Sequence, residues 1–434
     1  MNYFLSLVHS LKPRCIEHWF VVVILLYGIG GFIRYNFLPG TIGNTIPLIG
    51  FCILIWKLLA SKKAMPLRGI SAFFYLVLIV WTLCLTVDMI LFTDFREVTE
   101  EYKGTTTVLL NISQSLMFAP NLLPLTILCI PRNRNIDFAY IVRACILVMI
   151  LYIIAYPFAL WSVTHFTLDM TAKAGEAGNY QTFIRHASLH ISLLLAPNLM
   201  FYCREYLPKR KWQLFLLTFI ASLLITIYTA RRGNTLFSVL YLFFAWFIYS
   251  VYNKKVSKLK AILLVVVVAS AAYYIVTGLA DSFFSLIFER GVEDSRSGVE
   301  EAFYADMKSW EDWIFGRGWF GAYYDTGFGA FRMGVETGFL TLILRGGLLY
   351  LVPYVALMLI GAFNGYLRSR NLFCKSLGVL LFMNVCSLYP FGWPDMNFTF
   401  LLYWIGIWIC NQSKYRNMTD SEIKQVFFTH PLIR

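Results

Sequence analysis

Charge is what this sequence has least of. Only 14% of its 434 residues are charged while 59% are hydrophobic, against about one quarter charged in soluble domains, which excludes a water-soluble chain. Metal-ligand spacing is missing as well. The nine cysteines, from Cys15 to Cys410, lie in or beside apolar runs without a CxxC pair, so they read as small core residues. No DxD pair or ligand cluster makes a divalent cation necessary, and no cofactor is implied. A cleavable signal peptide is also absent. Lys12 and Arg14 lead into an apolar segment from Trp19 with no small-residue cleavage pattern after it, so the first helix reads as an uncleaved anchor. The formal charge of +13 would suit nucleic acid, but the basic residues form short clusters between apolar runs rather than one amphipathic face. That pattern belongs to membrane topology and argues against a nucleic-acid partner.

What is present is a series of apolar runs, each near the ~20 residues needed to cross a hydrocarbon core of ~30 Å. They begin near Trp19, Ile42, Gly69, Thr106, Phe138, Phe183, Gln213, Asn234, Ala261, Val335, Ser376 and Phe398. The expected fold is all-α: a polytopic membrane protein of about 12 transmembrane helices, forming one integral membrane domain over residues 1–434. The fourth run is interrupted by Asn111, Gln114, Pro120, Asn121 and Pro124, so it is expected to be broken or re-entrant. Placing Lys and Arg in the cytoplasm puts both termini inside, together with Lys57 to Arg68, Arg132 and Arg134, Arg204 to Lys211, Lys254 to Lys260, Arg368 to Lys375, and Lys414 with Arg416. The other loops are acidic or nearly neutral. The largest of them, spanning residues 280–333, holds ten acidic against five basic residues between Asp281 and Arg332, and is expected to carry two or three short amphipathic helices on the external face.

One outer pair clearly breaks the charge bias, and several outer residues invite a chemical reading. Arg231 and Arg232 stand in a turn between two apolar helices, where arginine costs up to about 3 kcal/mol at full membrane depth and less near the interface. A guanidinium matches phosphate oxygens bidentately, so the pair reads as a clamp on an anionic headgroup, with snorkelling to lipid phosphates as the plainer alternative. Arg185 and His186 lie near the membrane surface at the outer start of the sixth run, on the same side as Arg232. Arg290 and Arg296 flank Glu293 and Asp294, and most carboxylates of this loop read as a solvated face. Phe315-Gly316-Arg317-Gly318-Trp319-Phe320-Gly321 formally satisfies GxGxxG, but it lacks a preceding strand and a βαβ unit, so its glycines read as a tight turn. In the tenth run Glu336 stands at the outer end and Arg345 follows well inside. A buried arginine needs a partner, for which Asp88 and Glu336 are the candidates.

The order of these features resembles the O-antigen polymerase and O-antigen ligase superfamily. The matching pieces are Thr229-Ala230-Arg231-Arg232-Gly233, Asp294-Ser295-Arg296-Ser297 followed by Ile314-Phe315-Gly316-Arg317-Gly318, and Glu336-Thr337-Gly338-Phe339-Leu340 with Arg345-Gly346-Gly347-Leu348-Leu349. Together they cover roughly a third of the chain. The sequence departs from the ligase pattern in having Glu336 where ligases have histidine, and all six histidines lie outside the large loop and the following helix. The resemblance implies a glycosyltransferase of the bacterial cytoplasmic membrane. It would polymerise undecaprenyl diphosphate-linked repeat units into O-antigen, capsular or exopolysaccharide at the periplasmic face, and work in the bilayer beside a flippase and a chain-length regulator. It would use Glu336, Arg232 and His186 catalytically, and Arg231, Arg185, Arg290, Arg296 and Arg345 to hold substrate. A ligase is the alternative. A lipid-linked glycan flippase is a third reading, against which the halves of the chain show no self-similarity.

Overall fold

A computed structural model describes residues 2–36, 44–91, 118–131, 135–165, 203–228, 232–253, 297–327, 329–335, 337–389 and 396–429. The chain is mostly helical. In order run α1 (Asn2–Ser10), α2 (Ile16–Asn36), α3 (Thr45–Ala60), α4 (Gly69–Leu91), α5 (Leu123–Thr126), α6 (Phe138–His165), α7 (Lys209–Tyr228) and α8 (Arg232–Tyr252). Then come α9 (Ser297–Asp306), α10 (Trp310–Phe315), strands β1 (Tyr323–Asp325) and β2 (Ala330–Arg332), α11 (Gly338–Leu367), α12 (Leu372–Ser387), α13 (Phe398–Asn411), α14 (Ser413–Asn417) and α15 (Asp420–Phe427). A small hairpin is the one departure from helix among the regular elements of the described residues. Its strands pair antiparallel with Tyr324 opposite Phe331, and Asp325 closes the turn by accepting from the amide of Gly327 at 2.9 Å.

Two of these helices, α4 and α11, are long and apolar enough to cross a membrane. Seven shorter apolar helical stretches accompany them among the described residues. The two long helices are distinctive in what they expose. On α4 the outward residues are Ile70, Phe73, Leu76, Val80, Leu83, Val87 and Ile90, a stripe at helical spacing, while Ser71 and Thr82 are buried. A helix solvated by water has the reverse arrangement. On α11 the outward stripe is Leu348, Val352, Leu359, Phe363 and Leu367.

The core is built around α11, which packs on α4, α12 and α13. Small residues let backbones approach closely there. A Cβ on Gly365 would lie 2.7 Å from the carbonyl oxygen of Cys374 and 2.9 Å from Cα of Gly378. Beside this contact Tyr350, Tyr354, Trp404 and Trp408 are fully buried, and Asn384 donates to the Tyr354 hydroxyl at 2.8 Å. The fourth apolar run, from Thr106, lies among the described residues only from Phe118 onward. Pro120 and Pro124 divide Ala119–Cys129 into a 3-10 turn, α5 and a second 3-10 turn, and Tyr75 of α4 donates to the carbonyl of Pro124 at 2.7 Å.

The basic connecting segments gather at one end of the bundle. Ala64 donates to Leu128 O at 2.9 Å, Gln412 to Pro66 O at 3.0 Å, Lys414 to Asn135 at 2.7 Å, and Arg370 to Arg416 O at 2.9 Å. Asp420 ties three further elements to this end, accepting from the hydroxyls of Tyr206 and Tyr252 and from the amide of Leu372. The acidic segment holding α9, α10 and the hairpin sits at the other end of α4 and α11.

Candidate functional site

The site grows from a break in α11. At Gly347 the backbone takes φ 64° and ψ −170°, a conformation essentially reserved for glycine, and the helix is interrupted two residues after Arg345. Carbonyls before a break lose their partners four residues on, and buried ones must find others. Here Leu344 O accepts from the amide of Arg317 at 2.7 Å, and Gly346 O accepts from Trp81 Nε1 of α4 at 2.6 Å. The turn after α10 therefore docks directly into the gap. Gly316 (φ 74°) and Gly318 (φ 82°) shape that turn, as expected of a glycine-rich return toward the apolar helices. The fit leaves no room for a methyl group: a Cβ on Gly347 would lie 2.1 Å from Ile314 O, and one on Gly316 2.6 Å from the Gly347 amide nitrogen.

Beyond the turn, Trp319 is buried, donating to the Thr86 hydroxyl at 3.3 Å and meeting Tyr350 edge-on with centroids 5.4 Å apart. Phe118, the first described residue of the fourth run, lies 4.2 Å from Phe320 between ring centroids. Next to Phe118 in that run is Asn121, buried, with neither side-chain amide atom hydrogen-bonded. Two interrupted elements thus meet under one loop.

Arg317 holds the loop together. Its guanidinium forms ion pairs with Asp306 and with Asp312, the latter at 2.8 Å, and donates to Ala322 O at 2.9 Å. The Arg317 hydrogen bond is the main reason the Asp312 carboxyl lies below its ordinary range, and Asp312 in turn is the main cause that raises the Arg317 pKa. Nearby, Arg332 pairs with buried Asp325 at 2.9 Å, and Thr337 donates to Glu300. Glu301 and Glu311 are exposed, as expected of a solvated face, whereas Glu300, Asp306, Asp312 and Asp325 are not part of one. These four are structural acceptors, because the loop has a core of its own, built from Val299, Phe303, Met307 and Tyr323 against Leu340 and Ile343 of α11. The signal that could have found Arg317 was its place between Gly316 and Gly318, directly after the acidic segment that holds Asp306 and Asp312.

Of the predicted site residues, the structure places Arg345 most fully. It lies on the first segment of α11 and reaches back to donate to Met333 O at 3.2 Å, in the direction helical side chains lean. Asp88, one of its expected partners, is exposed at the end of α4, its carboxylate 3.1 Å from where a Gly318 Cβ would stand. Arg232 opens α8, and its side chain lies outside the described residues. Glu336, His186, Arg231, Arg185, Arg290 and Arg296 also lie outside them.

At the basic end, Cys15, Glu17 and His18 bring ligand-type atoms within 4.8 Å of one another, a grouping that sequence spacing did not reveal. Both ring nitrogens of His18 are engaged: Nδ1 accepts from the Arg14 amide at 3.1 Å and Nε2 meets Asp137 at 3.0 Å. With Tyr140 stacked on the ring at 3.7 Å, the cluster acts as a hydrogen-bonded joint between α2 and α6.

No family model, curated protein or solved structure matches this chain.

Proposed function

We propose that this chain is a polytopic membrane glycosyltransferase that joins undecaprenyl diphosphate-linked glycans on the external face of a bacterial cytoplasmic membrane, acting as a polysaccharide polymerase. The observation that carries the reading is the interlock of Ile314–Gly318 with Arg345–Leu349, two of the segments on which the family resemblance rests: Arg317 N to Leu344 O at 2.7 Å and Gly316 against Gly347. Irregular backbone at membrane depth is tolerated where protein covers it or a cavity is lined by it, and an arginine beside such a break suits an anionic substrate. The apolar outward stripes of α4 and α11 support the membrane assignment, and the gathering of basic segments at one end supports a cytoplasmic placement of that end.

In the proposed reaction a hydroxyl of the acceptor sugar attacks the anomeric carbon of the donor. The bond from that carbon to the diphosphate oxygen breaks, and the lipid diphosphate leaves with the electron pair. The hydroxyl proton passes to the Glu336 carboxylate, or to His186. Arg232, supported by Arg231, Arg185 and Arg296, offsets the charge growing on the diphosphate, and Arg290 and Arg345 help to hold the glycan lipids. Ligase and flippase activities remain the alternatives.

Gel analysis of surface glycan from a deletion strain tests this. Loss of a polymerase leaves at most one repeat unit attached, loss of a ligase leaves polymer on its lipid carrier, and an unchanged ladder of chain lengths rejects the proposal. With purified lipid-linked repeats, Arg232→Lys should lose much of the chain extension because a point charge cannot reproduce the planar fork. Near-normal extension by Arg232→Ala would remove this residue from the mechanism.

A further inference from the structure

At the end of α4 and α11 remote from the broken helix lies an open cleft of about 650 Å³, lined by Arg68, Arg368 and Arg416 together with Ser71, Asn364 and Asn411. The three arginines come from three different segments: the start of α4, the end of α11 and α14. No acidic residue lines the cleft, and among the described residues none of the three forms an ion pair. The amides beneath them satisfy one another. Asn411 accepts from Ser71 at 2.9 Å and from Asn364 at 3.1 Å, and donates to Ile407 O at 2.8 Å. Arg368 makes one long contact to Asn364, 3.5 Å, and lies 5.0 Å over the Phe363 ring. The Nε of Arg416 is buried with no acceptor at all.

A concentration of cations without counterions is unfavourable unless an anion completes it, and guanidinium forks suit phosphate oxygens. The walls decide which phosphate. Ile70, Leu359 and Phe363 line the cleft, and all three belong to the exposed apolar stripes that continue along α4 and α11. A soluble phosphate has no use for such a surface, whereas acyl chains do. Basic pockets between spanning helices on the cytoplasmic side are suited to anionic headgroups, and the first amides of the 23-residue α4 add a weaker attraction from the same side.

We propose that this cleft binds an anionic phospholipid of the inner leaflet, its phosphate among Arg68, Arg368 and Arg416 and its chains along Ile70, Leu359 and Phe363. The inference rests on α4 and α11 crossing the membrane, not on glycan transfer, so it stands or falls separately from the polymerase reading. The test uses the full chain in detergent and measures retained lipid by native mass spectrometry, and thermal stabilisation, with phosphatidylglycerol, phosphatidylcholine and soluble glycerol phosphate. Phosphatidylglycerol should bind about tenfold or more tighter than phosphatidylcholine, since each basic residue at a membrane surface adds to the attraction of a net anionic headgroup. The triple variant Arg68→Gln, Arg368→Gln, Arg416→Gln should abolish that preference, whereas Lys12→Gln, Lys62→Gln, Lys424→Gln, which removes equal charge elsewhere, should keep it. Equal retention of both lipids by the wild type would overturn the proposal, and so would equal losses in both triple variants. Glycerol phosphate binding as tightly as the lipid would overturn it in favour of a soluble ligand. If the arginine variant does not elute as a single species, the wild-type lipid comparison decides alone.

Discussion

Replacing Gly347 by alanine tests the central contact of the site. Two costs arise together. The backbone at φ 64°, ψ −170° is nearly closed to residues with a side chain, a strain of about 1–3 kcal/mol. The new methyl would also lie 2.1 Å from Ile314 O, so the turn must move, and forced overpacking adds about 1–3 kcal/mol. The combined ~2–6 kcal/mol is large against a total stability of about 5–15 kcal/mol. The chain can relieve it most easily by letting the Ile314–Gly318 turn lift away, which breaks the bond from Arg317 N to Leu344 O. Hydrogen exchange of the purified protein reads this directly. The Arg317 amide should be protected in the wild type and should exchange about 30-fold faster or more in Gly347→Ala, since 2 kcal/mol of local destabilisation corresponds to that factor. Gly28→Ala is the control. A Cβ there meets nothing within 4 Å, and alanine should stabilise the helix by about 0.5–1 kcal/mol. Unchanged Arg317 protection in Gly347→Ala, with an unchanged melting temperature, would refute the interlock.

Other perturbations address the parts around it. Arg317→Lys keeps one charge but cannot serve Asp306, Asp312 and Ala322 O together, and should weaken the loop by about 1–3 kcal/mol, seen as faster proteolysis between α9 and the hairpin. The Asp312 carboxyl is held below its ordinary value of 3.8 chiefly by Arg317. A depressed folded-state pKa contributes stability above the unfolded value that is lost as pH falls through the folded one, so loop protection should decline below about pH 4. Asp312→Asn should flatten that decline, and an identical acid profile would count against the ion pair. Asn121→Leu removes a buried amide whose donors and acceptor are unsatisfied, and should be neutral or raise the melting temperature. A large fall would mean that the amide has a structural partner.

Much of the architecture was legible because long apolar runs fold as helices. The predicted runs beginning near Trp19, Gly69, Phe138, Gln213, Asn234, Ser376 and Phe398 fall on α2, α4, α6, α7, α8, α12 and α13 within a few residues. The break in α11 was not legible. Gly346 and Gly347 read as part of a continuous apolar helix, because only the approach of Ile314, distant in sequence, makes the glycine conformation necessary. The hairpin was missed for a related reason: its strands are three residues each, too short for alternation to register, and they are fixed by the Asp325 turn and by packing of β1 on α9. Charge was misjudged in the loop because composition counts carboxylates without showing which of them meet Arg317 or Arg332.

The geometry of α4 links the two ends of the molecule and yields a final prediction. Ser71 bonds Asn411 beside the basic cleft, while Leu85 lies 3.2 Å from where a Gly346 Cβ would stand. The fourteen residues between Ser71 and Leu85 span about 21 Å at ~1.5 Å each. If the cleft lies at headgroup depth, the break in α11 lies about two-thirds of the way across a core of ~30 Å, some 9 Å below the opposite surface. The turn that fills it must then dip into the membrane, and should differ in access to water from α9 above it. Glu301, charged and exposed on α9, belongs above the surface. Phe315 packs against Trp81 of α4, with centroids 5.7 Å apart, and belongs below it. In a background with Cys52, Cys84 and Cys386 replaced, since these are the exposed thiols among the described residues, Glu301→Cys should react rapidly with a membrane-impermeant maleimide added outside the cell. Phe315→Cys should react slowly although 40% of the native side chain is exposed, because what it faces is hydrocarbon, where thiolate does not form. Equal fast labelling of both would place the turn in water. The broken helix would then have to be explained as a feature of an extramembrane surface, and the case for a substrate site within the membrane would lose its geometry.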